Sequence, residues 1–124
     1  MPANFTHTPS QHAMAETLRE PLLEHVRTDA FSYERERVLT YQGAVDKFRI
    51  ATTARKVGRV LDAVECMLVA YGWPPSAAAG ITAYVVQGQS GKPGVGWYEI
   101  WNMNPEDARE EARAYLRNLV LGDD

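Results

Sequence analysis

Apolar residues recur at every fourth position between Gln11 and Thr28, as Met14, Leu18, Leu22 and Val26, and this spacing predicts a helix. Pro21 falls inside the stripe, so the helix is expected either to kink there or to begin its stable part at Pro21. Residues 1–10 are polar and carry Pro2 and Pro9; they read as a flexible tail ahead of a single domain over 11–124. Val38, Tyr41, Val45, Phe48 and Thr52 alternate by three and four, which favours a second helix. A hairpin turning near Gly43 fits the same residues, and the two readings of 32–50 stay open.

Val57, Val60, Val64, Met67 and Tyr71 repeat the three-four spacing, with Leu61 and Leu68 filling the stripe. The phase slips between Thr52 and Val57, which predicts a kink or short break near Thr52. Gly72 and Pro74 in "GWPP" then stop the helix. Its opposite side starts with Arg55, Lys56, Arg59 and Asp62 and ends with Cys66, Val69 and Ala70, so the second half is apolar all round.

The segments "ITAYVVQ" and "WYEIWNM" flank the glycine-rich "GQSGKPGVG" and read as a β-hairpin. Asn104 as N-cap, Pro105 as first residue and Glu106 and Asp107 in the first turn then open a C-terminal helix. Its buried stripe is Ala108, Ala112, Tyr115, Leu116 and Leu119, and Gly122 ends it. The expected fold is α+β: helices packed on a β-hairpin, with a helix–hairpin–helix C-terminal half. A four-stranded antiparallel sheet drawing two strands from 36–50 is the alternative.

Such a hairpin would have two apolar faces. Tyr84, Val86, Tyr98 and Ile100 would face the core, while Val85, Trp97, Trp101 and Met103 would form a second aromatic face interrupted by Glu99. Apolar anchors interleaved with polar groups characterise interfaces. On this reading Val85, Trp97, Trp101, Met103, Cys66 and Val69 bind a partner. The expected function is that of a small non-enzymatic regulatory protein, self-associating as a homodimer and inhibiting a larger partner such as a transcriptional regulator or an enzyme.

Composition narrows the alternatives. In 124 residues, 45% are hydrophobic and 23% charged, enough for a core without metals or disulfides. The formal net charge of −3 gives no general attraction to nucleic acid or anionic membrane. Cys66 is the single cysteine, which excludes an intramolecular disulfide and suits a reducing compartment. With no signal-peptide pattern and no apolar run near the roughly 20 residues of a membrane span, a cytoplasmic location is expected.

Lys47, Arg49, Arg55, Lys56 and Arg59 form a basic run with no acidic residue between them. They read as a charged rim or phosphate-binding group, and nucleic-acid binding through them is the first alternative function. "TARKVG" has the alanine and glycine of a helix-turn-helix, but the following helix would present Asp62 and Glu65 to the bases. A small-molecule or enzymatic site lined by Trp97, Trp101 and Tyr84 is the second alternative.

Other chemistry is poorly supported. Lys92 is followed by Pro93, unlike a phosphate loop. His7, His12 and His25 lack metal-ligand spacing, Cys66 sits among apolar neighbours, and Glu106, Asp107, Glu110 and Glu111 occupy a solvated helix face. No catalytic residue, metal or cofactor is expected.

Overall fold

The computed structural model describes residues 7–32 and 37–121. Among them are six helices and one two-stranded parallel sheet: α1 (Pro9–Ala30), β1 (Leu39–Thr40), α2 (Tyr41–Phe48), α3 (Val57–Ala70), α4 (Pro75–Thr82), β2 (Val85–Val86), α5 (Val95–Trp101) and α6 (Pro105–Leu121). The α+β expectation is therefore overturned. Among the described residues there is neither a hairpin nor a four-stranded antiparallel sheet.

α1 begins at Pro9, where Thr8 and Gln11 form a capping box: Thr8 Oγ1 accepts from Gln11 N at 3.1 Å and Gln11 Oε1 accepts from Thr8 N at 2.9 Å. The expected tail thus contributes the helix start, and its residues 1–6 lie outside the described residues. The helix runs through Pro21, and Ala15, Leu18, Leu22 and Val26 bury its stripe. The open region 32–50 resolves into a short strand and a short helix, with residues 33–36 outside the described set. Arg49, in the left-handed conformation at φ 53°, ends α2, and the expected break before α3 spans 49–56.

The hairpin fails because the first supposed strand divides into the end of α4, a turn at Ala83 and Tyr84 and two extended residues, while the second is mainly helical. Pro75 opens α4, and Ala77, Ala78 and Ala79 carry it with the highest intrinsic helix propensity. Only Val85 and Val86 remain extended, paired in parallel with Leu39 and Thr40. The second supposed strand is α5, closed by Asn102 in the left-handed conformation at φ 48°. Trp97 and Trp101 share a face in either structure, because a separation of four keeps residues together on a strand and on a helix. The aromatic pattern therefore could not separate the two.

α4 is the centre of the packing. It lies on α6 in the most extensive contact between any two elements, and also touches α3 and α1. A Cβ on Gly80 would fall 1.9 Å from the Ala108 carbonyl oxygen and 2.8 Å from Ala112 Cβ, so only glycine permits the approach. Arg109, on α6, donates from Nη1 to the Ala83 carbonyl at 2.7 Å and so satisfies the C-terminal end of α4. The main core joins the apolar faces of α1, α3, α4 and α6 around Tyr84 and Val85. A smaller cluster of Ala79, Ala83, Trp97 and Ala108 lies under α5, with Tyr98, Trp101 and Met103 packed against it.

A buried polar network pins these layers together. Asp29, at the end of α1, is fully buried and accepts a short hydrogen bond from the Tyr84 hydroxyl. Arg113 Nη1 donates to the Tyr84 oxygen at 2.9 Å and lies 3.8 Å from Asp29 Oδ2, and Arg37 Nε reaches Asp29 Oδ1 at 3.4 Å. Arg113 is held in turn by Glu110 at 2.7 Å.

Substituting Gly80→Ala should cost about 3 kcal/mol, because the added methyl must push α4 off a rigid backbone carbonyl. Urea unfolding of the variant is the check; a loss below about 0.5 kcal/mol, the level of an ordinary surface change, would mean that α4 and α6 do not approach as described.

Candidate functional site

A cavity of about 240 Å³ lies between α3, α4, β2 and the segment leading into α5. Leu61, Val85, Pro93 and Trp97 supply its apolar wall, and Glu65, Thr82, Asp62 and Tyr41 its polar one. Arg55 and Arg59 also line it and are exposed to solvent, so they lie on its open side.

Glu65 decides the character of this cavity. It stands on α3 three residues after Asp62 and is only 2% exposed. The Thr82 hydroxyl bonds both Glu65 Oε2, in a short contact, and the Ala79 carbonyl at 3.1 Å. A hydroxyl has one proton to give. With the carboxyl protonated on Oε2, the chain is complete: the carboxyl O–H donates to Thr82, and Thr82 donates to Ala79. Burial pushes the Glu65 pKa up to about 8 against the partial counter-effects of Thr82 and Trp101, so this acid is uncharged at neutral pH. The Trp101 indole N–H lies close enough to favour the ionised carboxyl, yet the pair misses hydrogen-bonding geometry: Trp101 Nε1 and Glu65 Oε1 are both buried and unpartnered. Burying a polar atom without a partner is costly, and native proteins do it at few places.

The groups around Glu65 are set by backbone constraints. Tyr41, the first residue of α2, accepts a 2.8 Å hydrogen bond from Gly94 N, leaving its own O–H to be donated. A Cβ on Gly94 would stand 2.7 Å from that hydroxyl oxygen, so the contact needs glycine. Burial raises the Tyr41 pKa, which keeps the phenol protonated. Burial also raises Asp62, while His7 and Arg59 pull it back down. The Trp97 indole N–H donates to Ala79 O at 3.1 Å, which fixes its ring against the wall.

The residues singled out from the sequence are dispersed. Val85 and Trp97 are buried and line the cavity, and Arg55 and Arg59 line it from the solvent side. Trp101 approaches Glu65 from behind the cavity wall. Met103 packs beside it and lines a separate groove with Lys92 and Arg109. Val69 packs against the main core. Cys66 is a half-buried free thiol whose pKa is raised by burial and by Glu65 and Asp62.

The basic run does not form one patch. Lys47 lies 3.0 Å from His25 Nδ1, Arg49 lines a groove with Met14 on α1, and Lys56 borders another with Thr8. Glu65, Thr82, Tyr41 and Asp62 were not selected from the sequence. For Glu65 a signal existed: it is the one carboxylate in the stretch of α3 that is apolar on every side.

The chain matches no family model, no curated protein and no solved structure. No described helix is long and apolar enough to cross a membrane.

Glu65 makes stability depend on pH in a definite direction. Its pKa rises from 4.5 to about 8 on folding, so its contribution is complete at acid pH and is lost as pH rises through that window, at up to about 1.4 kcal/mol per pH unit. Glu65→Gln should flatten this dependence, with the variant gaining on the order of 2 kcal/mol relative to wild type between pH 5.5 and 7.5. Urea unfolding of both proteins at the two pH values tests this, and parallel behaviour would mean that Glu65 is ionised in the fold.

Proposed function

We propose that this protein is a small-molecule-binding module whose site is the cavity over Glu65. The observation that carries the reading is a buried, uncharged carboxyl that lines, together with Thr82, a cavity with apolar walls and a basic open side. Sites for small ligands combine a mostly apolar wall with a few placed polar groups. A cavity of about 150 Å³ accommodates benzene, so 240 Å³ suits a compound built on one ring. The reading is of binding: Glu65 and Thr82 orient a ligand, and Arg55 and Arg59 meet it at the entrance. The free thiol of Cys66 fits a reducing compartment, and a cytoplasmic location is part of the proposal.

Regulation through a protein partner would rest on two apolar faces of a hairpin. Val85 and Trp97 are interior, and that argument no longer supports it. Tyr71, Val95, Leu119 and Leu121 are exposed apolar side chains of the ordinary kind.

Gly58 offers a clean test. It lines the cavity, and a Cβ there would meet nothing within 4 Å. Gly58→Leu should fill the space and, by replacing glycine in a helix, hold or raise stability by up to about 1 kcal/mol. In a melting-temperature screen of single-ring fragments, compounds that stabilise the wild type should lose that effect on Gly58→Leu. A screen in which no compound separates the two proteins would overturn the reading.

A further inference from the structure

We propose that residues 87–94 form a movable jaw through which ligands enter this cavity, and that the Tyr41 hydroxyl is the latch that holds it shut. The inference rests on the binding reading above and adds how the site is entered. A ligand that is to touch Thr82 meets a closed floor: Leu61 is 5% exposed, and Glu65, Thr82 and Val85 less. The mouth lies where the lining is exposed, at Arg55, Gly58 and Arg59 on one side and at Gly96, beside half-buried Gly94, on the other. One side of that mouth has to move before a ring can reach the floor.

The two sides differ in what moving them would break. α3 carries Val57, Val60, Val64 and Leu68 into the main core and packs on α1 and α4, so shifting it would open that core. Residues 87–92 are instead exposed and hydrogen-bonded to one another. Gln87 N donates to the Lys92 carbonyl at 2.8 Å, Gly91 N to the Gln87 carbonyl at 2.9 Å, and Lys92 N to Ser90 Oγ at 3.2 Å. A segment that answers its own backbone groups can swing as a unit without leaving polar atoms unpaired. Its flanks are fixed by the pairing of Val86 with Thr40 and by the Trp97 indole on the Ala79 carbonyl. Gly88 and Gly94 stand just inside those flanks, where glycine leaves the backbone dihedrals free to change.

Little holds the segment closed. Pro93 is its buried residue and forms part of the cavity wall. The Gly94 carbonyl accepts from Trp97 N at 3.0 Å at the start of α5. Among the described residues, the remaining hydrogen bond from 87–94 to another element is the 2.8 Å bond from Gly94 N to the Tyr41 hydroxyl oxygen. Tyr41 is held in turn by the cap of α2, where Thr40 Oγ1 accepts from Gly43 N at 2.9 Å. One bond from a fixed side chain therefore decides whether the wall at Pro93 is in place.

The test reads access to the floor and needs no ligand. In a Cys66→Ser background, Val85→Cys puts a thiol on the floor, and Val64→Cys puts one in the main core away from the cavity. Methyl methanethiosulfonate at pH 7 labels each thiol only while it is exposed. Adding Tyr41→Phe should speed labelling of Val85→Cys on the order of tenfold relative to Val64→Cys, the factor that one lost hydrogen bond gives when its effect is local. Leu61→Cys is the second floor reporter, should Val85→Cys fail to fold. Equal acceleration at floor and core, or none at the floor, would overturn the latch. The fragment screen keeps the two ideas apart. Compounds that separate wild type from Gly58→Leu while labelling stays unchanged would leave the site in place and remove the jaw; the converse would sink the binding reading and keep the jaw.

Discussion

The contact between Gly80 on α4 and the backbone of Ala108 on α6 is the constraint on which the rest of the structure depends. Two helices whose small residues meet this closely leave no room for a sheet layer between them. α4 is therefore enclosed, with every residue from Ala77 to Thr82 buried. Its end must then be satisfied inside the protein, which is the role of Arg109 at the Ala83 carbonyl. The chain leaving α4 reaches Tyr84 and the short strand beside β1, and Thr82 is brought against Glu65 of α3. The position of the cavity follows from the depth at which α4 sits.

Two buried carboxyl groups show how differently a fold can treat the same chemistry. Asp29 sits among Arg113, Arg37 and the Tyr84 hydroxyl, which compensate the loss of water with donors and positive charge. That arrangement ties the end of α1 to α6 and to the chain after α4, and it reads as structural because its groups answer one another. Glu65 has one hydroxyl on one oxygen and an indole that does not reach the other. Without a cation in contact, burial favours the neutral acid. Breaking local satisfaction in this way costs stability, and natural proteins tolerate it chiefly where a site is built.

Part of that site could be seen in the amino-acid pattern. Arg55 and Arg59 stood out as cations in an acidic chain, and Trp97 and Val85 as apolar residues beyond the needs of one simple face. All four line the cavity. Their grouping could not be seen, because Lys47, Arg49 and Lys56 belong to the same run and point to other places. In the sequence Glu65 stands beside Asp62 only as a carboxylate that a groove-reading helix would present to the bases. Its own environment depends on Thr82, seventeen residues away and on a different helix.

The sequence by itself determined the helices that have one wet face. The stripes of α1, α3 and α6 (apart from Tyr71 and Leu119, which are exposed), the stop after Tyr71 and the Asn104–Pro105 start are all local, since capping and amphipathic spacing are decided within a few residues. Residues 75–101 carried no such information. They are apolar on nearly every side or rich in glycine, and a segment buried all round loses the periodicity that distinguishes a strand from a helix. Only the tertiary structure decided that part: the fit of Gly80 against α6 made α4 a buried helix, and the cavity over Glu65 exists because of where that helix lies.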